Sequence, residues 1–85
     1  MRTVYKYPMY GTLIVDMATC DKVVLVAEQD QNEICIWVEH ELDAKVKFPR
    51  TFEMYATGED VPERAMHQGT ALLANKEVWH IYEVV

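Results

Sequence analysis

Apolar and polar positions alternate along most of the chain with the two-residue period of β-strands. The alternation is clearest over residues 2–7, 12–17, 33–41 and 78–85. The run Val23–Ala27 is apolar at every position, which predicts a central strand covered on both faces. The pattern therefore favours strands almost everywhere.

Turn-forming residues predict that neighbouring strands pair as hairpins. Residues 29–32 are Gln-Asp-Gln-Asn, whose short polar side chains suit tight turns and left-handed backbone. This turn would join the strand over 22–28 to the strand over 33–41. A closing hairpin is predicted from Met66–Ala74 and Val78–Val85 around residues 75–77.

A further hairpin is predicted around a three-residue loop at Leu42–Ala44. That loop would oppose Glu41 to Lys45, Glu39 to Lys47 and Val38 to Phe48. This register pairs charge with countercharge and apolar with apolar side chains. Pro49 cannot donate a ladder hydrogen bond, so a bulge or a strand edge is expected there.

These elements predict a single all-β domain over residues 1–85, mainly antiparallel. The expected architecture is a small meander of six to seven strands, folded as a two-layer sandwich or a partly closed barrel. Asp60 and Glu63 have the spacing of a capping box, which allows at most one short helical turn near residues 61–66.

The net charge of −6 is concentrated in one segment of the chain. Residues 28–43 contain six acids and no lysine or arginine, and the remaining residues are neutral in sum. The acids are Glu28, Asp30, Glu33, Glu39, Glu41 and Asp43. Such a segment favours docking on a basic partner surface and disfavours binding to nucleic acid. The alternative is that Lys45 and Lys47 neutralise it in part and water solvates the rest.

Aromatic side chains supply the second candidate interaction surface. Tyr5 and Tyr7 share one strand face with Thr3 and would form an exposed tyrosine patch, a type of surface that favours recognition. Half-buried packing of the same tyrosines is the alternative. Trp37 and Trp79 are flanked by aliphatic residues and are predicted to lie in the core.

The sequence lacks the residues that the common catalytic motifs require. The chain has no serine, its three glycines are isolated, and it has neither an HExxH nor an EF-hand pattern. No catalytic residue, cofactor or metal site is therefore expected, and the protein is predicted not to be an enzyme. Cys20 and Cys35 are predicted to be free thiols.

The histidines are expected to have ordinary structural roles. His80 alternates with Val78 and Tyr82 and is predicted to be packed and hydrogen-bonded. His40 lies between two glutamates and is expected in a solvated charge cluster, and His67 is expected at the surface. No run of apolar residues is long enough to span a membrane, and no signal peptide is expected.

Four segments together resemble a family of small phage and prophage proteins of unassigned function. They are the opening Met1–Pro8 (MRTVYKYP), the central Thr51–Gly58 (TFEMYATG), Gly69-Thr70, and the closing Val78–Glu83 (VWHIYE). The resemblance covers nearly the whole chain and departs from the family pattern in the acidic middle. It implies a phage origin and a setting in the host cytoplasm, and it implies no activity.

The leading hypothesis is a non-enzymatic phage accessory protein that binds a host macromolecule, with a host protein as the expected partner, through the acidic hairpin, Tyr5 and Tyr7, for example to inhibit a host or defence target. Two alternatives stay open. One is a self-associating module, a homodimer through the strand that carries the two tyrosines. The other is a protein that sequesters a small ligand such as a nucleotide, with Lys45, Lys47, Arg50 and Arg64 as its basic candidates.

Overall fold

The fold consists of seven β-strands and no helix in a computed structural model that describes all residues, 1–85. The strands are β1 (Arg2–Met9), β2 (Leu13–Met17), β3 (Lys22–Gln29), β4 (Glu33–Glu41), β5 (Phe48–Ala56), β6 (Met66–Leu72) and β7 (Val78–Val84). The all-β prediction is confirmed. No helix is present that could cross a membrane.

The strands form two antiparallel sheets that pack as a sandwich. One sheet has the order β1-β4-β3 and the other has the order β2-β5-β7-β6. The sandwich alternative is thus confirmed, and the barrel is not closed. The strand order departs from a simple meander, because β1 pairs with β4 while β2 joins the other sheet.

Two of the three predicted hairpins are confirmed. The turn between β3 and β4 places Asp30 and Asn32 at φ values of 58° and 60°, a left-handed conformation that these residue types tolerate. The turn between β6 and β7 places Lys76 at a φ of 72°. In both hairpins, residues adjacent in the sequence determine the turn.

The third predicted hairpin, around Leu42–Ala44, is wrong. Strands β4 and β5 lie in different sheets, so Glu39 and Glu41 do not oppose Lys47 and Lys45. Glu39 instead lies between Val4 on β1 and Lys22 on β3. Both edges of β4 are already occupied, and the chain after it therefore crosses to the second sheet.

The prediction that residues 23–27 form a central strand is also wrong. β3 is an edge strand of its sheet, and Val24 and Leu25 are exposed on it. β4 is the central strand, and its Ile34, Ile36 and Val38 face the core as the alternation predicts. The apolar outer positions of β3 therefore contribute to a solvent-facing surface.

The core lies between the sheets and draws on every strand. Its eleven buried residues are Met9, Val15, Met17, Val26, Ile34, Ile36, Val38, Phe52, Ala71, Leu73 and Ile81. Trp79 packs against this cluster as predicted. Trp37 does not, because it lies on the opposite face of β4 beside Cys35 and Glu39. Both cysteines are free thiols, as expected.

Two further local predictions concern proline and the long loop. Pro49 pairs only with Asp16 on β2, because the pairing of β5 with β7 begins at Thr51. The proline is thus unpaired on one side, as expected for a residue without an N–H. The segment near residues 61–66 forms a single turn, in which Ala65 N–H donates to Pro62 C=O at 3.0 Å, and no helix.

Gly69 holds the two sheets close together where β6 packs against β3. A Cβ atom at this position would lie 2.6 Å from Val26 Cγ2 and 2.9 Å from Val26 Cβ. We therefore expect Gly69→Ala to lower the free energy of unfolding by about 1–3 kcal/mol. In a double-mutant cycle with Val26→Ala, urea unfolding is expected to show partial recovery, because only the closer contact is removed. A Gly69→Ala variant as stable as the wild type would contradict this contact.

Candidate functional site

An interior polar network joins the two sheets. It consists of Tyr7 on β1, His40 on β4, Arg50 on β5, Glu83 on β7 and Asp21 in the loop between β2 and β3. His40 Nδ1 lies 2.8 Å from Asp21 Oδ2, and His40 Nε2 lies 2.8 Å from the Tyr7 hydroxyl. The network therefore begins in the three-stranded sheet and reaches the four-stranded sheet through the loop.

Asp21 is the anchor of this network. Its carboxylate is fully buried and accepts the backbone N–H groups of Ala18 at 3.0 Å and Glu41 at 2.8 Å. Burial by itself would raise the pKa of Asp21, but these N–H donors and the His40 ring outweigh it and lower the pKa below 3.8. Because Asp21 stays ionised, His40 Nδ1 donates to it. The other ring nitrogen, Nε2, is hydrogen-bonded to the Tyr7 hydroxyl.

Arg50 and Glu83 form the second half of the network. Arg50 donates through Nε and Nη2 to the two carboxylate oxygens of Glu83, each at 2.7 Å. Its Nη1 also donates to the Asp21 carbonyl at 2.9 Å. The hydrogen bonds to Glu83 raise the pKa of Arg50, which keeps the guanidinium charged. The bidentate pair links β5 to β7, and the Nη1 contact ties the β2–β3 loop to the four-stranded sheet.

The network corrects the prediction for His40. This side chain is only 3% exposed and is not part of a solvated charge cluster. Glu39 and Glu41 point to the other face of β4, while His40 shares the inward face with Val38. Sequence reasoning missed Asp21, Arg50 and Glu83 as partners, although the alternation that buries Val38 also predicts burial of His40.

The six predicted acidic residues do not form one surface. Glu28, Asp30 and Glu33 surround the β3–β4 turn, whereas Glu39, Glu41 and Asp43 lie at the far end of β4. Residues 34–38 separate the two groups. The acidic segment is therefore divided into two clusters at opposite ends of the three-stranded sheet.

Five of the six acids already have a partner within the chain. Glu28 accepts the N–H groups of Asn32 and Ala74, Glu33 accepts the Tyr10 hydroxyl, Glu39 pairs with Arg2, and Glu41 and Asp43 contact the Met1 amino group. Hydrogen bonds from that amino group lower the pKa of both Glu41 and Asp43. The acids thus serve partly as internal partners, but Lys45 and Lys47 are not among the groups that they contact.

The two predicted tyrosines have different environments. Tyr5 is 50% exposed, and its ring centroid lies 5.6 Å from that of His40. Tyr7 is half-buried, contacts the core and bonds to His40. Burial, followed by the charges of Tyr5 and Asp21, raises the pKa of the Tyr7 hydroxyl. Tyr5 therefore remains available at the surface, whereas Tyr7 belongs to the interior polar network.

The solvent-facing side of the three-stranded sheet carries an apolar centre with a charged rim. We call it the Trp37 face; it comprises Arg2, Val4, Lys6, Pro8, Lys22, Leu25, Ala27, Trp37 and Glu39, and Cys35 lies on the same side of β4 but is fully buried. Trp37 is flanked by Lys6 and Leu25, and the next row places Val4, Glu39 and Lys22 side by side. Val4 and Leu25 are 47% and 50% exposed. Burial raises the pKa of the Cys35 thiol, which keeps it protonated.

Histidines and tyrosines occupy the outer side of the four-stranded sheet. His80 bonds to the hydroxyls of Thr57 and Thr70, each at 3.0 Å, which confirms the prediction of a hydrogen-bonded side chain. His67 is exposed as expected, and its ring lies 5.2 Å from that of Tyr82. No group of three or more histidine, cysteine, aspartate or glutamate residues is arranged to hold a metal ion.

An open depression lies at the end of the β6–β7 hairpin, beside this outer side. It is lined by Ala56, Thr57, Lys76, Glu77, Val78 and Trp79. None of the residues of the interior polar network borders it. The buried histidine and the depression are therefore separate features of the molecule.

Comparison with known proteins identifies one family. Neither the curated proteins nor the solved structures include a match to this chain. A family model described as a domain of unknown function, DUF7352, matches residues 1–85. This match spans the same residues as the sandwich, both of its sheets and the polar network between them. The chain therefore belongs to the DUF7352 family.

Proposed function

We propose that this protein is a non-enzymatic accessory protein of phage or prophage origin that binds a host protein in the host cytoplasm. The origin and setting rest on the sequence resemblance of its four segments. The binding surface we assign to the Trp37 face, together with the acids at the Glu41 end of β4. Of the two acidic clusters, only the one formed by Glu39, Glu41 and Asp43 belongs to this surface.

The observation that supports this proposal is the composition of the Trp37 face. Protein interfaces combine an apolar centre, enriched in tryptophan, with a polar rim. Here Trp37, Val4 and Leu25 form the centre. Sheets that face water on one side normally carry polar side chains there. Exposed apolar residues around a tryptophan therefore favour an interaction site for another protein.

The charges at one end of this face indicate the chemistry of the partner. Glu39, Glu41 and Asp43 lie together there, and their partners within the chain are Arg2 and the amino group of Met1. A basic rim on a host protein complements this cluster. For the nucleotide-sequestration alternative, one of the four basic candidates is already committed, because Arg50 is bound to Glu83.

Replacing Trp37 by alanine tests the proposal directly. Because the side chain lies outside the core, we expect the variant to fold normally and to bind its partner at least about thirtyfold more weakly, as for a central interface residue. Tagged wild-type and variant proteins would be used to capture partners from host lysate, and the retained protein would then be titrated by calorimetry.

Leu72→Ala is the matched control, since Leu72 is 69% exposed on the other sheet. It should bind as the wild type does. Glu39→Lys combined with Glu41→Lys should also weaken binding and reduce its dependence on salt. Equal capture by Trp37→Ala and the wild type, or no specific capture by either protein, would refute the proposal.

A further inference from the structure

The outer edge of β1 is open. β1 pairs with β4 along eight residues without a bulge, and no other strand packs along its second edge. The opposite edge of the same sheet differs, because β3 packs against β6. β2, the other strand with an open edge, has only five residues. β1 therefore has the longest strand edge that neither pairs with nor packs against another strand.

The direction of these backbone groups follows from one hydrogen bond. Leu42 N–H donates to Met1 C=O at 2.8 Å, so the odd-numbered residues of β1 bond to β4. Arg2, Val4 and Lys6 then direct their N–H and C=O groups away from the sheet. Pro8, which has no N–H, occupies the next position of this outward series, where a missing donor breaks no bond to β4.

The charged side chains of β1 leave this edge unprotected. Edge strands usually avoid pairing by presenting charges or a bulge at the open side. Arg2 instead reaches Glu39 on β4 at 3.0 Å, and Lys6 Nζ reaches Gln29 on β3 at 3.0 Å. Both basic side chains therefore lie back across their own sheet.

We propose that two copies of this chain pair antiparallel along β1, with a twofold axis at Tyr5, to form a continuous six-stranded sheet. Val4 N–H and C=O would bond to Lys6 of the second copy, and Lys6 to Val4 by symmetry. Arg2 N–H would bond to the carbonyl of Pro8. This homodimer does not depend on the Trp37 face binding a host protein.

The charges select this register. An axis at Val4 would oppose Arg2 to Lys6, and an axis at Lys6 would oppose the two lysines, both of which place like charges in direct pairs. An axis at Tyr5 opposes Lys6 to Val4 and Arg2 to Pro8. It also brings together the two Tyr5 rings, each 50% exposed in the single chain. Tyrosine pairs across neighbouring strands stabilise sheets.

Proline substitution at outward positions tests the dimer without breaking the sheet. Val4→Pro and Lys6→Pro each remove an N–H that faces the edge, as Pro8 does naturally. By symmetry each variant loses two intermolecular hydrogen bonds, so we expect the dimer dissociation constant in sedimentation equilibrium to rise by at least about tenfold. Val4→Thr keeps the N–H and the β-branched shape and should remain dimeric. Thermal melting would verify that each variant is folded.

Disulfide cross-linking determines which residues of the two β1 strands lie opposite each other. In the Cys20→Ser background, Tyr5→Cys places two thiols in a directly opposed pair, where the Cα separation of about 4.5 Å permits a disulfide. Lys6→Cys is the control, since its two copies lie out of register and beyond disulfide reach. Mild oxidation should therefore cross-link the first variant and not the second.

Three results would overturn the proposal. These are a wild-type protein that is monomeric at every concentration, dimers that persist in both proline variants, and cross-linking of Lys6→Cys in preference to Tyr5→Cys. Trp37→Ala should retain the dimer, so loss of host-protein binding and loss of pairing are distinguished. If the strand that pairs with β1 belongs to a different protein, the purified chain would be monomeric. That result would count against the homodimer.

Discussion

Asp21→Asn is expected to lower the free energy of unfolding by about 2–4 kcal/mol at pH 7, because it leaves buried donors without an acceptor. One carboxylate oxygen accepts Glu41 N–H, and the other accepts Ala18 N–H and His40 Nδ1. An amide has one oxygen and one NH₂ group. Whichever way it is oriented, at least one backbone donor then faces another donor.

The cost is expected to depend on pH in a defined direction. The pKa of Asp21 is lower in the folded protein than its ordinary value of 3.8. The carboxylate therefore stabilises the fold fully above that ordinary value, and the contribution is lost as pH falls through 3.8 towards the folded pKa. The difference in unfolding free energy between wild type and Asp21→Asn should accordingly shrink as urea titrations move from pH 7 to pH 3.

Two controls separate the charge of Asp21 from other effects. Asp16→Asn changes an exposed carboxylate on β2 and should alter stability by no more than about 0.5 kcal/mol. Tyr7→Phe removes only the hydroxyl that bonds to His40 and, at pH 7, should cost about 1 kcal/mol. The proposed role of Asp21 would be wrong if the cost of Asp21→Asn were the same at pH 7 and pH 3.

The strands and two of the turns could be predicted from the sequence because their causes are local. Alternation places Ile34, Ile36 and Val38 on one face whichever strand pairs with them. Asp30 and Asn32 tolerate left-handed backbone whatever the sheet order. These features need no knowledge of residues distant in the chain.

Strand partners could not be predicted in the same way. The charges of Glu41 and Lys45 suit a hairpin, yet β4 pairs with β1, whose residues lie 25 to 39 positions before their partners in the chain. Local charge pairing is worth only a fraction of a kcal/mol to about 1 kcal/mol, and the burial of two whole sheet faces exceeds it. The same limit explains the wrong prediction for β3. Its apolar run is typical of a central strand, yet its outer side chains face solvent on the Trp37 face.

The site was predictable in part. Glu39, Glu41 and Tyr5 lie at the surface, and the clustering of acids at one end of β4 follows from their spacing. The partnership of His40 with Asp21 was not predictable, because the loop residue is 19 positions away and no local pattern marks it. Arg50 and Glu83 likewise meet only through the pairing of β5 with β7.

Breaking the Arg50–Glu83 pair is expected to cause the largest loss of stability. Glu83→Leu would leave the Arg50 guanidinium in a site where its side chain is 16% exposed and its two 2.7 Å hydrogen bonds to Glu83 are gone. Removing one partner of a buried ion pair costs about 3–5 kcal/mol. Urea unfolding at neutral pH would measure the loss.

Replacing both partners should cost less than the sum of the two single changes. Arg50→Met with Glu83→Leu removes both charges together, and apolar replacements of buried ion pairs are often close to neutral. Part of the cost should nevertheless remain, because Arg50 Nη1 also donates to the Asp21 carbonyl at 2.9 Å and its loss frees the β2–β3 loop. A coupling energy near zero in this cycle would mean that the pair does not act as a unit. A double variant as stable as the wild type would mean that the loop contact contributes nothing.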